Sequence, residues 1–151
     1  MATTFLSNAT INCTQGATTY DLSSQANQVT LTIGQDALEV TAFNGGTSAA
    51  GGHIFAGGLQ TVDIQMTLFL SYGNTASPNT EVETALAAMV GKGNTTLVIS
   101  PSGTTEGPAD PEYTIANCML ASFTPINSTV GEIATVQLSW QGGTWSRDVT
   151  P

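Results

Sequence analysis

The chain has 151 residues, the size of one ordinary domain, and 40% of them are hydrophobic, enough for a packed core. Only 9% are charged, and 2 basic against 11 acidic residues give a formal net charge of −9. With Lys92 and Arg147 as its only bases, the chain cannot neutralise the phosphates that conventional nucleic-acid binding requires. No apolar run reaches the ~18 residues of a membrane span, so no membrane association is expected.

The N-terminal residues and the two cysteines give expectations about compartment and cross-links. Residues 1–6 contain neither a basic region nor a long apolar stretch, so we expect no secretory signal and assembly in a cytoplasm. Cys13 and Cys118 are far apart and have no second pair of ligands, so they do not form a zinc site. Two separate buried thiols are the simpler interpretation, and a disulfide is the alternative.

Alternation of apolar and polar residues predicts mainly β-structure. We predict one strand in the N-terminal segment (about residues 1–28) and about six further strands. These six are expected at residues 29–33, 38–43, 61–70, 95–100, 113–123 and 133–140. The outward positions carry Thr, Gln and Ser rather than Lys and Glu, which suits a surface that is covered in an assembly, because burying unpaired charge is costly.

One segment, residues 80–90, has the pattern of a helix. Thr80 and Glu83 fit a capping box, and Gly91 fits a helix C-terminus. An apolar stripe at helical spacing contains Val82, Leu86, Met89 and Val90. Residues 1–151 are therefore predicted to form a single all-β domain, a sandwich or barrel of antiparallel strands with one short flanking α-helix.

Two irregular segments are candidates for contacts with other subunits. The first, residues 44–58, is rich in glycine but contains two large apolar residues, which a solvated loop does not need. Its candidate contact residues are Asn44, Gly45, Gly46, His53, Ile54, Phe55, Gly57 and Gly58. The second is a C-terminal arm, about residues 142–151, in which Trp145 and Arg147 could anchor an interface. The alternative for Trp145 is packing on its own domain, and Trp140 continues an apolar strand face and is predicted to lie in the core.

No motif points to catalysis, a metal or a cofactor. His53 is the only histidine and has no partner motif for nucleophilic catalysis. The carboxylates are scattered singly, and the glycines spell no phosphate-binding loop. Asp110 and Glu112 lack the spacing of a calcium motif. We therefore predict no catalytic residues, no metal site and no cofactor.

The order of these features resembles the tail tube (major tail) proteins of long-tailed bacteriophages. The resemblance begins with two motifs, Glu39-Val-Thr-Ala-Phe-Asn44 and Ile54-Phe-Ala-Gly-Gly-Leu59. It continues through a strand at residues 59–70, the helix and the elements Pro101-Ser-Gly103, Pro111-Glu-Tyr113, Val130-Gly-Glu132 and Gln141-Gly-Gly-Thr144. It covers about residues 29–144. The chain departs from the family in its longer, glycine-rich loop and in Asn44, where glycine is common.

This resemblance implies a sandwich with a tail-tube-like fold that self-assembles as hexameric rings. The rings stack into a hollow tube through which DNA passes without specific binding, while loops and terminal arms join successive rings. The other partners implied are further phage tail proteins, and the location implied is the virion, assembled in the host cytoplasm. Asp63, on the polar face of the longest strand, is the candidate residue for the lumen.

Three other functions fit parts of the sequence. A capsid decoration or cement protein with a related sandwich would have a similar composition rich in Thr, Gly and Asn. A carbohydrate-binding module would need exposed aromatic residues, and only Tyr20, Tyr72 and Trp145 are available. An enzyme is least favoured, because the single histidine has no nucleophile motif beside it.

Overall fold

The computed structural model describes residues 9–41, 53–72, 82–103 and 106–150. These contain eight strands, which pair antiparallel, and one helix, so the predicted all-β fold with a short helix is confirmed. The elements are β1 (Thr10–Gln15), β2 (Thr18–Asp21), β3 (Ala26–Glu39), β4 (Phe55–Phe69), α1 (Val82–Met89), β5 (Thr95–Ser100), β6 (Glu112–Leu120), β7 (Thr135–Gln141) and β8 (Thr144–Asp148). Within the described ranges, no helix has the length and apolar character to cross a membrane.

The strands form two layers that share β6. The order of paired strands is β2-β1-β5-β6-β7-β4-β3, and β8 pairs with β6 outside this path. The first part of β6 lies between β5 and β8, whereas Met119 and Leu120 at its end pair with β7. The change occurs next to Asn117, a non-glycine residue with φ of 59°. Because β6 passes from one layer to the other there, it links both halves of the sandwich.

The first third of the chain contains more strand than the sequence predicted. Two strands, β1 and β2, replace the single N-terminal one, and they are joined at Gly16, whose φ is 62°. The strand expected at residues 29–33 and the first two residues of the one expected at 38–43 belong to a single strand of 14 residues, β3. Residues 40 and 41 are not part of a strand, and residues 42 and 43 lie outside the described residues. The pairing of β3 with β4 continues through a register shift between Gln35 and Ala37, so the break in the sequence pattern is a β-bulge rather than a turn.

The predicted loop at residues 44–58 is wrong in its last part. Residues 55–58 belong to β4, and Phe55 and Gly57 pair with Glu39 and Ala37. A Cβ on Gly58 would lie 3.1 Å from the Cγ of Leu38, so glycine permits close approach of the two strands here. Residues 42–52, which include Asn44, Gly45 and Gly46, lie outside the described residues.

The predicted irregular C-terminal arm is also wrong over residues 144–148. These residues form β8, which pairs with Glu112 to Ala116 of β6. Gly142 and Gly143, with φ of 81° and 89°, turn the chain between β7 and β8. The turn does not make a hairpin, because β8 pairs with β6 and not with the strand that precedes it.

The helix and the central strands supply the core. The helix buries Val82, Ala85, Leu86 and Met89 completely, and it is terminated by Gly91, two residues after its last residue, whose φ is 76°. Gly91 donates its N–H to the Leu120 carbonyl at 2.8 Å, which fixes the end of the helix on β6. Val90 of the predicted stripe is only partly buried, and Thr80 of the predicted capping box lies outside the described residues. Trp140 is fully buried, as its strand position predicted.

Candidate assembly surfaces

A polar face covers the outer side of β3, β4 and β7. Residues that pair across the three strands point to the same side of the sheet. The three rows of paired residues are Gln28–Thr67–Gln137, Thr30–Gln65–Ser139 and Thr32–Asp63–Gln141. We call these nine residues the polar face. They include one carboxylate and no base, and the other eight side chains are uncharged hydrogen-bonding groups. This face can contact water or a polar neighbour but offers no strong site for an ion.

Asp63 lies on the polar face, on the side of β4 that the alternation predicted. Its neighbours Val62 and Ile64 point into the core and are 2% and 0% exposed. The Ser139 hydroxyl donates a hydrogen bond to Oδ1 of Asp63 at 3.1 Å. The carboxylate is therefore held by its neighbour in β7, at one end of a face that is otherwise uncharged.

The second surface is a two-stranded ribbon, residues 34–41 and 53–61, which we call the β3–β4 ribbon. The pairing of β4 with β7 ends at Asp63, so among the described residues the ribbon strands pair only with each other. The ribbon exposes four large apolar side chains, which are Leu38 (54%), Val40 (51%), Phe55 (60%) and Leu59 (80%). Leu38 pairs with Ala56 and Phe55 with Glu39, so Leu38 and Phe55 point to opposite faces of the ribbon. Exposed apolar side chains on a ribbon of this kind favour an interaction surface.

Polar contacts connect the two strands near the end of the described ribbon. His53 Nδ1 lies within hydrogen-bond distance of Glu39 Oε1, and the His53 ring lies 6.4 Å from the Phe55 ring. The Ile54 N–H donates to Oγ1 of Thr41 at 2.8 Å. The ribbon thus brings together His53, Ile54, Phe55, Gly57 and Gly58 of the predicted contact segment, although as a paired strand rather than a loop.

The two candidate residues of the C-terminal arm lie on β8. Trp145 is opposite Ile115 and packs against the core, which matches the alternative of packing on its own domain. Its indole nitrogen, like that of Trp140, is buried and has no hydrogen-bond partner among the described residues. Arg147 is exposed opposite Tyr113. An interface role for these two residues stays a prediction.

The sequence analysis missed several exposed apolar residues. Leu38 and Leu59 belong to the ribbon, and Ile126, Val130 and Ile133 lie on the β6–β7 loop with exposures of 80%, 102% and 77%. Alternation identifies one apolar face of a strand but does not show whether that face is covered.

The two cysteines are free and buried. The Cys118 thiol donates to the Thr95 carbonyl at 3.2 Å. Burial raises the pKa of Cys118 to about 11 and raises the pKa of Cys13 further, with Cys118 nearby adding to the second shift. No group of three or more potential ligands lies close enough to hold a metal ion within the part of the chain that the structure describes.

We expect both thiols to resist alkylation or disulfide exchange in the folded protein. A pKa raised from 9.0 to about 11 leaves about 100-fold less of the reactive thiolate at pH 8, and burial also blocks access. Reaction with a chromogenic disulfide at pH 8 should therefore be at least about 100-fold slower than in concentrated urea, and it should accelerate as the pH rises towards 11. Rapid reaction of one equivalent without denaturant would contradict this burial.

Comparison with known proteins gives matches in structure but not in sequence. No family model and no curated protein matches the chain. A chain of the PVC sheath/tube terminator, from an extracellular contractile injection system, matches with a TM-score of 0.64 at 14% identity, covering 98% of both chains. A chain of the anti-feeding prophage cap, the AFP tube terminating cap, matches with a TM-score of 0.62 at 14% identity, covering 99% of this chain and 93% of that one.

A third match comes from a different kind of particle. A chain of the virion of a native gene transfer agent matches with a TM-score of 0.59 at 11% identity, covering 93% of this chain and 95% of that one. The chain has a tail-tube-like fold. The likeness extends over nearly the full length of each chain, so the tail-tube-like fold includes the ribbon strands, the helix and β8.

Proposed function

We propose that the chain is the structural subunit of a phage tail tube and not an enzyme. In this proposal it polymerises as stacked hexameric rings around a lumen that conducts DNA, and it is assembled in the host cytoplasm into the virion. The observation that carries the proposal is the β3–β4 ribbon, which exposes four large apolar side chains in a fold shared with tube-terminating proteins. In an isolated domain these side chains stay exposed to water, whereas in a polymer a neighbouring subunit can cover them.

The sheet edges support ring formation. The order of paired strands ends at β2 and β3, and the outer edge of β3 is 14 residues long. A long unpaired edge is a template for pairing with another chain. Closing subunits into a ring, with β2 of one against β3 of the next, would satisfy the backbone groups at these two edges. Other tail proteins would then contact the two ends of the tube.

The polar face supports a position at the lumen. Uncharged Gln, Thr and Ser side chains give a moving duplex no cation to bind, and Asp63 adds weak repulsion of phosphate. The net charge of −9 acts in the same direction. Such a wall lets DNA pass without specific contacts.

Negative-stain electron microscopy of the purified protein over a concentration series tests the assembly. We expect rings or tubes with a central hole, and their number should rise with concentration. Trimers that bind capsids would contradict the proposal and favour a decoration protein. A particle that stays monomeric at every concentration, even with preformed tube ends added as an initiator, would also contradict it.

We expect the Asp63→Lys substitution to slow DNA delivery without preventing tube assembly. A ring of six added cations would attract the phosphates of the passing duplex, and the loss of the Ser139 contact costs little on an accessible face. The measurement is the rate of genome release from virions that carry the variant subunit, at two salt concentrations. The slowing should be larger at low salt.

Asp63→Asn is the matched control for this substitution. It keeps the size and the hydrogen-bond acceptor of the side chain but removes the charge, so delivery should stay close to that of the unaltered virion. Unimpaired delivery by the lysine variant would place Asp63 away from the lumen.

A further inference from the structure

An apolar groove of about 280 Å³ opens between the two layers of the sandwich, beside the edge strand β3. Val29, Leu31 and Ile33, the inward side chains of β3, form one wall, and Tyr113 of β6 lies across from it. Apart from the Tyr113 hydroxyl the lining side chains are apolar. A closed apolar cavity of about 150 Å³ is enough for benzene, so the groove has room for a phenyl ring.

Arg147 lies beside this groove. It pairs with Tyr113 across β6 and β8, and paired residues point to the same side of a sheet. The next pair that faces the same way is Ile115 with Trp145, and both pack in the core, so this side is the inner one. Arg147 itself is exposed and is one of two basic residues in the chain. The groove therefore combines an apolar lining with a positive charge at its rim.

The β3–β4 ribbon carries a complementary pair of side chains. Phe55, which is 60% exposed, pairs with Glu39, so an aromatic ring and a carboxylate point to the same face of the ribbon. Oε1 of Glu39 lies near Nδ1 of His53, and the carboxylate can accept a further hydrogen bond at its second oxygen. Phe55 beside Glu39 thus matches the apolar groove beside Arg147 in both polarity and charge.

A second copy of the chain is the occupant that these features favour. Leu31 in the wall of the groove pairs with Ile64, which is nine residues along β4 from Phe55. The two positions therefore lie about 30 Å apart within one chain, and Phe55 does not reach the groove of its own subunit. Because one subunit carries the aromatic side chain and the groove at different places, the contact is heterologous and can repeat from subunit to subunit.

We propose that the ribbon of one subunit seats Phe55 in the groove of a second copy, where Glu39 pairs with Arg147. The inference rests on the proposed function and deepens it, because it names the two surfaces through which subunits join. Burial of the phenyl ring supplies attraction, and the ion pair at the rim fixes the orientation of the ribbon on its neighbour.

Charge reversal in the full-length protein tests the ion pair. Arg147→Glu and Glu39→Lys should each raise the concentration needed for assembly at least about 10-fold, because like charges then face each other across the contact. The double variant should return to within about three-fold of the unaltered protein, since opposite charges face each other again. Lys92→Glu is the matched control, which makes the same change of charge at the other exposed base and should leave the threshold nearly unchanged.

Sedimentation over a concentration series gives each threshold, and circular dichroism shows that each variant subunit is folded. If the unaltered protein forms no assembly, the proposed function fails and this inference fails with it. If the unaltered protein assembles but the single reversals have no effect, or the double variant is no better than they are, the inference alone is overturned.

Cross-linking in the assembled protein tests the same contact without placing like charges together. Glu39→Cys/Arg147→Cys is treated with a short bismaleimide, whose spacer replaces the two long side chains. The native cysteines are buried and should not compete. We expect linked dimers and longer chains, formed at least about five-fold faster than with the control Glu39→Cys/Lys92→Cys, because the contact holds the first pair of thiols together. Equal rates for the two variants would overturn the proposal.

Discussion

The double variant Phe55→Ser/Leu59→Ser is expected to remain a folded subunit that no longer forms tubes. Both side chains lie on the β3–β4 ribbon and are 60% and 80% exposed, so their loss removes little packing within the subunit. In a polymer each would be covered by a neighbour, and covering a large apolar side chain contributes about 1.5–3 kcal/mol. Losing two such contacts should raise the concentration needed for assembly at least about 100-fold.

Two measurements together test this expectation. Sedimentation of assembled material over a concentration series gives the threshold, and circular dichroism with thermal unfolding shows that the variant subunit keeps its fold. The matched control is Ile126→Ser/Val130→Ser, which changes two equally exposed apolar residues on the β6–β7 loop. The control should assemble at nearly the usual concentration. Normal tubes from the ribbon variant would show that the ribbon is not the contact surface.

The Gly143→Ala substitution is expected to destabilise the folded subunit by about 2–5 kcal/mol. The φ of 89° costs an L-residue about 1–2 kcal/mol by itself. In addition, a Cβ at this position would lie 2.2 Å from the Ala116 carbonyl oxygen. That oxygen belongs to the backbone of β6 and cannot swing aside, so β8 must move away from β6, and overpacking of this kind costs a further 1–3 kcal/mol, roughly.

The neighbouring glycine provides the control. Gly142 has a similar φ of 81°, but nothing lies within 4 Å of a Cβ placed there. Gly142→Ala should therefore cost only the backbone strain, about 1–2 kcal/mol. Urea unfolding of the two variants and the unaltered protein gives the difference in free energy of unfolding. Equal losses for the two substitutions would show that β8 does not approach β6 as closely as described.

Several elements of the fold follow from local sequence pattern. The strand predicted at residues 95–100 is β5, with the same bounds. The stripe of α1 and the position of Gly91 were predictable, because periodicity and positive φ are local properties of the chain. Trp140 is buried for the same reason, since it continues the alternation of β7.

The sequence predicted which residues would form a contact surface, but not the strand pairing that holds them there. A glycine-rich segment with Ile54 and Phe55 indicated a contact surface, and the structure places both residues on the ribbon. Their pairing with β3 could not be read from the sequence, because the bulge between Gln35 and Ala37 interrupts the alternation that identifies a strand. Exposure of Leu38 and Leu59 was not predictable either, since apolar alternation is the same whether or not a layer covers the face.

Three properties were predictable from the sequence, namely the class of fold, the face that each regular element buries and the low charge of the outer faces. These depend on residues a few positions apart, whose spacing sets which side chains point the same way. Two further features are visible in the folded chain alone: β3 and β4 extend past β7 as a ribbon, and β8 pairs with β6 after the turn at Gly143. Both features depend on backbone pairing between segments that are distant in the sequence. Backbone N–H and C=O groups are the same in every strand, so the residues of a strand do not show which other strand it pairs with.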